Sequence, residues 1–333
     1  MSGAGNQVRT VLGDIGADRL GMCYAHEHLI IDGGVPGLVN PGISLPWVAD
    51  AVAELGPCVA AGVRAVVDAM PADAGRNVVK LAEVSRRAGV HVVAATGLHH
   101  ARFYGERHWG ELLEPERLAE LFVADLTDGV DAHDCNGPVV ARTPHRAGVV
   151  KVAGSLDRPS DRDRRVFAAA ALAAARTGAP VLTHCEAGTG GLAQLRLLDD
   201  LGVPPDRVLL SHTDKVADRG YHRDLLGAGA WVVYDQGLRT PEATARLVRW
   251  MVADGHAGRL LLGTDGARRS LWTTLGGAPG LAALATGLGR RLAVELGRSV
   301  MDRIWVANPA AALALRPSTA GAPAASVAPG QRR

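Results

Sequence analysis

Two histidines near the N-terminus, His26 and His28, are the first residues whose types and spacing could do chemistry. They stand in the segment YAHEHLII, in which apolar residues on both sides predict a buried strand. Alternate side chains of a strand share a face, so the two imidazoles should lie roughly 6–7 Å apart and could converge on one metal ion. A single His-x-His in an apolar strand is more often structural. The metal interpretation therefore depends on further ligands elsewhere in the chain.

Four more polar residues stand where a short apolar run ends and a loop begins. Lys151 follows GVV, His184 ends PVLTH, His212 ends VLLSH, and Asp265 ends LLLGTD. Accidental core histidines would not be expected to share this position at the end of successive runs. Neutral imidazoles and an aspartate oxygen are the usual ligands of zinc-like ions. Four histidines and one aspartate exceed the needs of one tetrahedral ion with an open water position, so two metals are expected.

Lys151 is the unusual member of this set, since lysine is rarely buried without a partner. A desolvated lysine has a lowered pKa and can act as a nucleophile. Its reaction with carbon dioxide would give a carbamate, which is an anion able to bridge two metal ions. The alternative is a structural lysine that forms an ion pair with Asp265.

The elements that must position these residues alternate along the chain. Short apolar, β-branched runs occur at about 22–31, 64–70, 92–97, 147–153, 180–184, 207–211, 230–235 and 259–264. Segments with helical periodicity follow at 46–61, 74–88, 115–126, 161–177, 189–201, 217–228, 241–255 and 278–296. Eight strand–helix units with near-continuous apolar strands predict an α/β fold of the (β/α)8 TIM barrel type, with the active site at the carboxyl ends of the strands. No Gly-x-Gly-x-x-Gly follows any strand, which argues against a dinucleotide fold.

Composition narrows the function classes. The 333 residues are 47% hydrophobic, with a formal net charge of +2 at pH 7, as expected of a globular protein that uses a small-molecule substrate and binds neither nucleic acid nor membrane. The four widely spaced cysteines and an N-terminus without an apolar signal predict a cytoplasmic location. We expect a single barrel over 1–316 and a disordered tail over 317–333, which is rich in small residues and proline. The sequence leaves the oligomeric state open, and a homodimer is one state that we consider.

The combined motifs resemble the phosphotriesterase family of the amidohydrolase superfamily. The resemblance rests on the His26-x-His28 pair, the VVKVAG, PVLTH, VLLSH and LLLGTD motifs, and a late VANP, and it extends over residues 8–315. It implies that His26, His28 and Asp265 hold a more buried metal and that His184 and His212 hold a more exposed one. Carboxylated Lys151 would bridge both ions. Deaminases of the same superfamily typically lack this lysine. Zinc is the expected ion, with manganese and cobalt as alternatives.

The resemblance also implies a hydrolytic reaction. Two adjacent metals lower the pKa of a bridging water and polarise the substrate oxygen. Asp265 could accept the proton of the nucleophile and pass it to the leaving group, so Asp265 and Lys151 are the expected catalytic residues.

Substrate contacts are expected from the loops that follow the strands. The loop after the third strand carries His99 and Tyr104, the loop after the seventh carries Arg239, and the last loop carries Arg268 and Arg269. Three arginines on two adjacent loops suit a carboxylate or phosphate, with Arg269 preferred and Arg239 next. The ARRSLWTTLGG segment is similar to the family branch that opens sugar lactones, including phosphorylated ones. A small polar or anionic lactone is therefore the expected substrate.

Two other interpretations remain open at the level of sequence. The same site could hydrolyse an amide or a phosphoester, because loop composition alone does not separate these substrates. A metal-free barrel that serves as a binding or scaffold protein is disfavoured because no ligand position is lost.

Overall fold

The computed structural model describes residues 6–105 and 107–317, and it confirms the predicted (β/α)8 barrel. Eight parallel strands are hydrogen-bonded in sequence order. They are β3 (Met22–Glu27), β4 (Val63–Asp68), β5 (His91–Gly97), β6 (Val149–Gly154), β7 (Val181–Cys185), β8 (Val208–Ser211), β9 (Trp231–Tyr234) and β10 (Leu260–Leu262). An antiparallel hairpin, β1 (Gln7–Thr10) and β2 (Gly13–Gly16), precedes the barrel.

Helices cover the outer side of the strands. In chain order they are α1 (Gly34–Val39), α2 (Val48–Ala60), α3 (Val78–Ala88), α4 (Pro115–Thr127), α5 (Asp161–Thr177), α6 (Gly191–Asp200), α7 (Arg219–Gly227), α8 (Pro241–Ala253), α9 (Arg290–Leu296), α10 (Arg298–Asp302) and α11 (Asn308–Leu313). The helix predicted over 278–296 begins later, as a π-helical segment at Leu284–Gly289 that continues into α9. None of the helices in the described ranges is both long and apolar enough to cross a bilayer.

Strand residues alternate between two hydrophobic cores. Along β6, Val150 and Val152 pack outward against the helices, whereas Val149 packs into the barrel interior. The same alternation holds on β9, where Val233 faces inward and Tyr234 outward. An inward-facing side chain at the end of a strand therefore points toward the mouth of the barrel, since the period of a strand is two.

The two ends of the described chain close the bottom of the barrel. Val8 of β1 forms an isolated antiparallel bridge with Ala314, and both side chains belong to the interior core. The buried guanidinium of Arg207 donates to the carbonyls of Ala314 and Gly178. The tail predicted over 317–333 lies, apart from Pro317, outside the described residues.

The first and last strands meet at the mouth of the barrel. The backbone amides of Thr264 and Asp265 both donate to the carbonyl of His26, at 3.1 Å each. The buried carboxylate of Glu27 accepts from the Thr264 amide at 2.7 Å and from its hydroxyl at 2.5 Å. Backbone and side-chain bonds thus join β3 to the loop that carries Asp265.

Candidate active site

The six predicted ligands line one cavity at the mouth of the barrel. The cavity has a volume of about 370 Å³, and its wall contains His26, His28, Lys151, His184, His212 and Asp265. The nearest nitrogen–oxygen distance from His28 to Asp265 is 3.5 Å, and the rings of His184 and His212 are 4.4 Å apart. Residues that are separated by up to 239 positions in the chain are therefore neighbours in space.

An irregularity in β3 turns the first two histidines toward the cavity. Cys23 and Ala25 pack into the barrel interior, so regular alternation would point His26 and His28 outward. The pairing of β3 with β4 shifts register between Tyr24 and Glu27. Such shifts re-aim the side chains that follow them. Both histidines line the cavity as a result.

Left-handed backbone occurs at two later candidate ligands, and at His212 it offsets the outward direction that alternation from Leu209 would give. His212 has φ +66° and Asp265 has φ +46°, a region that residues other than glycine rarely adopt. By contrast, Lys151 and His184 need no such turn, since they continue the inward face of Val149 and Leu182. Strained backbone at these two strand ends fits a functional site whose surroundings fix it.

A buried carboxylate orients two of the histidines. Asp235 accepts from His26 Nδ1 and from His212 Nδ1, each at 2.9 Å. It also accepts from the His212 backbone amide at 3.1 Å. Both rings thereby carry their proton on Nδ1 and leave Nε2 as the free lone pair. Fixing the tautomer in this way is what carboxylates beside metal-binding histidines do.

The opposite nitrogen of His184 is engaged. Its Nε2 lies 2.8 Å from Glu186 Oε2, so its Nδ1 remains available to a metal. This hydrogen bond, followed by that from Arg102, holds the pKa of Glu186 well below its usual range.

Burial favours the neutral form of two of these histidines, His26 and His184, which is the form that binds a metal. It lowers the pKa of His26 to about 3, with a smaller contribution from the charge of Lys151. It also holds the pKa of His184 well below 6.5, helped by the neighbouring His212. Imidazoles that are neutral at physiological pH can bind a cation without first losing a proton.

Lys151 has the surroundings of a reactive amine. Its side chain is 1% exposed, and its Nζ lies 3.4 Å from Ser211 Oγ. No carboxylate in the described ranges comes within 4.0 Å of Nζ, so the alternative ion pair with Asp265 is not formed. Burial lowers the pKa of Lys151 to about 8. A neutral amine at this position is suited to carbamate formation.

The donor set fits a metal centre. One nitrogen or oxygen from each of His26, His212 and Asp265 lies within 4.8 Å of the others. The buried Nδ1 of His28 has no hydrogen-bond partner in the described part of the chain. Imidazole nitrogens and a carboxylate match zinc and related ions. These six residues could hold two divalent ions if Lys151 carried a carbamate.

Three of the five predicted substrate-contact residues line the cavity, and two do not. Arg239, Arg268 and His99 line the cavity, whereas Tyr104 and Arg269 are absent from its wall. The Tyr104 hydroxyl binds backbone instead, since it donates to the Ala72 carbonyl and accepts from the His99 amide. Arg269 donates to the carbonyl of Ser44 at 3.3 Å. Their contact with substrate stays a prediction.

Four residues at the site were not predicted from the sequence. They are Asp235, Glu186, Arg102 and Lys215, of which the last two line the cavity. Asp235 could have been predicted, because it stands at the end of the seventh apolar run, the same position that candidate ligands occupy in other runs. The other three lie in loops, where side-chain direction depends on the whole fold.

The chain is similar to known proteins over most of its length. The sequence profile of the phosphotriesterase family matches residues 6–313. A phospho-furanose lactonase of Mycoplasmopsis synoviae (strain 53) is 29% identical over 272 residues, which cover 78% of this chain and 76% of the relative. A solved amidohydrolase from Mycoplasma synoviae superposes with a TM-score of 0.89 at 27% identity, covering 93% of this chain and 92% of that one.

A second solved structure carries an anion. The phosphotriesterase homology protein from Escherichia coli, solved with phosphate in its active site, has a TM-score of 0.79 and 28% identity, covering 88% of this chain and 99% of that one. The family match extends over nearly all of the described residues and includes every candidate ligand. The chain therefore belongs to the phosphotriesterase family.

Proposed function

We propose that this protein is a metal-dependent hydrolase that opens small anionic lactones, with phosphorylated sugar lactones as the leading class. One observation carries the proposal: a single cavity combines the six-residue ligand set with four cationic side chains, Arg102, Lys215, Arg239 and Arg268. A cavity of about 370 Å³ suits a small ligand. A metal centre alone does not explain so many cations around it.

Two of the four cations are free to meet an anion. Arg239 donates to the carbonyls of Thr264 and Asp265, at 3.1 Å and 2.7 Å. Lys215 and Arg268 are exposed and have no ion-pair partner in the described ranges. Among the last-loop arginines, Arg268 therefore replaces Arg269 as the preferred contact. A remote phosphate or carboxylate held by these cations would orient the lactone carbonyl over the metal ligands.

The comparisons support the same substrate class. The M. synoviae relative is named a phospho-furanose lactonase, and the E. coli homologue was solved with phosphate in its active site. Both findings agree with an anionic group beside the candidate metal ligands.

The reaction would use the residues as follows. Bound divalent ions supply an activated water nucleophile and polarise the lactone carbonyl. Asp265 Oδ accepts the proton of the nucleophile and returns it to the ring oxygen as the ester bond breaks. His99 Nδ1 accepts from the His100 amide at 2.8 Å, which leaves the proton on Nε2. This N–H could donate to the substrate, since the ring lines the cavity.

Further properties remain proposals. We propose two zinc ions per chain, with manganese or cobalt as alternatives, and a carboxylated Lys151 as their bridge. The free amine with a lowered pKa and the clustered ligands support this assignment. A cytoplasmic location, a homodimer and the 1–316 extent of the domain stay predictions from the sequence.

A matched pair of lactones tests the proposal. The metal-loaded enzyme is assayed on one lactone with a phosphate and on the same lactone without it, using wild type, Lys215→Ala and Arg268→Ala. Each variant should lose about 10- to 100-fold in kcat/KM on the phosphorylated lactone only, because a hydrogen bond to a charged group contributes about 1.5–3 kcal/mol. Arg249→Ala is the control, since Arg249 pairs with Glu295 on the outer helices.

The outcome can also reject the proposal. Equal losses on both lactones, or no loss on either, would rule out the anion site. Faster turnover of matched amides or phosphoesters than of lactones would favour the alternative hydrolase activities.

A further inference from the structure

The carboxylate of Glu186 lies between a candidate metal ligand and the loop after β5. Its Oε2 is 2.8 Å from His184 Nε2 and 2.8 Å from Arg102 Nη2. Arg102 Nη1 lies 3.3 Å from Oε1, which makes the ion pair bidentate. His100 Nε2 is 3.1 Å from Oε2. One carboxylate thus links strand β7 to two residues of a loop at the entrance of the cavity.

The contact decides which nitrogen of His184 can bind a metal. A carboxylate accepts hydrogen bonds, so the His184 proton sits on Nε2 and the lone pair on Nδ1. His26 and His212 are arranged the other way, with Nδ1 on Asp235. Only the Nδ1 lone pair of His184 is therefore free. Carboxylates that hold a ligand in one tautomer and orientation typically raise metal affinity.

The backbone around Glu186 is built to keep it there. Ala187 has φ +51°, and left-handed backbone is costly for a residue with a Cβ. The following Gly188 is fixed by Tyr221, whose hydroxyl donates to its carbonyl at 3.0 Å. Residues two positions apart share a face in a regular strand, and this turn keeps Glu186 beside His184 after the strand has ended.

The cluster could also be considered as a metal site in its own right. Ligand atoms of His100, His184 and Glu186 lie within 4.8 Å of one another. Arg102 already occupies both carboxylate oxygens, and the His184 nitrogen on this side carries a proton. A cation placed there would meet a guanidinium and an N–H. The geometry favours an orienting role over metal binding.

We propose that Glu186 is a positioning residue for His184, and that Arg102 holds it in place, so that the loop after β5 helps to set the affinity of the ion bound by His184. The proposal rests on the proposed function only in requiring a metal at His184. The Arg102 side chain is 58% exposed, so its ion pair with Glu186 is accessible to solvent and to ligands. A movement of the loop after β5 would therefore change the position of the Glu186 carboxylate, and through it the orientation of His184 toward the metal.

Metal affinity provides the test. Wild type, Glu186→Gln, Glu186→Ala and Arg102→Ala are loaded with zinc, and each ion is titrated against a chelator. We expect Glu186→Ala to weaken one of two ions by about 10- to 100-fold and to leave the other unchanged. Glu186→Gln should weaken the same ion less, because its amide oxygen still accepts from Nε2. Arg102→Ala should also weaken that ion less than Glu186→Ala does.

One further measurement, with a control variant, separates an orienting role from a remote structural effect. The visible spectrum of the cobalt-loaded protein should change in Glu186→Ala, which a remote structural effect would not produce. Glu295→Gln is the matched control, since Glu295 pairs with Arg249 away from the cavity.

Some results would overturn the inference. One such result is that Glu186→Gln and Glu186→Ala both bind the two ions as tightly as the wild type does. The other is that the wild type binds a third ion and that His100→Ala loses it. Suppose that the wild type binds two ions but hydrolyses no lactone, and that the variants lose metal affinity as predicted. The proposed function then fails, while the role of Glu186 stands.

Discussion

A single buried side chain, Asp235, is shared by two histidines, one in β3 and one directly after β8. Its two oxygens accept from His26 Nδ1 and His212 Nδ1, so one residue fixes two rings. Gln236 Nε2 donates to the same carboxylate at 2.7 Å. The charge interactions and hydrogen bonds from the two histidines overcome burial and hold the pKa of Asp235 well below its usual range.

We expect Asp235→Asn to weaken metal binding by about 10- to 100-fold. An amide can accept from one histidine, but its NH₂ group would face the N–H of the other and force a change of tautomer. Chelator competition on the purified protein measures the effect. Asp206→Asn is the control, because Asp206 pairs with Arg316 at the far end of the barrel. Unchanged affinity for both ions would contradict the orienting role.

Lys151 should capture carbon dioxide more readily as the pH rises. Its pKa of about 8 means that the ammonium form dominates below that pH and the reactive neutral amine above it. Carbamate formation joins Nζ to the carbon of CO₂ and releases one proton. In metal-free protein at fixed dissolved CO₂, the rate of zinc uptake should therefore rise through about pH 8 and then level off.

Labelled bicarbonate provides the readout for this prediction. Wild type and the control Lys80→Ala, which removes a lysine paired with Asp32 outside the cavity, should show a carbamate ¹³C signal, and Lys151→Ala should not. Lys151→Ala should also lose metal and activity, with partial restoration by a short carboxylic acid. Full activity in Lys151→Ala would disprove the carbamate.

At the scale of elements, the contact between β3 and the end of β10 brings ligands from the two ends of the chain together. A Cβ built on Gly263 would lie 2.7 Å from the carbonyl oxygen and 2.8 Å from the amide nitrogen of His26. Both are backbone atoms, which cannot move aside like a flexible side chain. Glycine is required here for close approach rather than for an unusual backbone angle.

Gly263→Ala should therefore destabilise the fold and disturb the metal centre together. Overpacking typically costs about 1–3 kcal/mol in the free energy of unfolding. The denaturant midpoint and the metal content per chain should both fall. Gly56→Ala is the control, because Gly56 lies within α2 with no atom within 4 Å of an added Cβ, and it should be neutral or stabilising. An unaltered midpoint and metal content in Gly263→Ala would show that the contact can relax.

The elements also show what the sequence could and could not predict. The eight strands, most helices and the inward direction of Lys151 and His184 follow from periodicity alone. The register shift before His26 and the left-handed backbone of His212 do not, because they depend on pairing and packing between distant segments. Alternation predicted a shared face for His26 and His28, but not which face.

Across the whole molecule, the catalytic mouth and the structural base are separate. The candidate metal ligands, the cationic side chains and the left-handed backbone of His212 and Asp265 lie at the carboxyl ends of the strands. Apolar side chains around Val8 and Leu313 fill the opposite end of the barrel. The six candidate ligands could be predicted from the sequence because their chemistry is distinctive. The sequence does not separate Arg268 from Arg269, because they are adjacent in the chain and only the turn at Arg269–Leu271 gives their side chains different directions.

The bridge at the base has a consequence for how the protein can be attached or rearranged. The Leu315 amide donates to the Gln7 carbonyl at 2.8 Å, so the two ends of the barrel are hydrogen-bonded neighbours on the face opposite the cavity. Neighbouring ends are what make circular permutation tolerable in many domains. A short linker between positions next to Gln7 and Leu315 could therefore close the barrel, with new ends made at a loop on the same face. A support attached near Gln7 or Leu315 would leave the cavity at the other face of the barrel free for substrate.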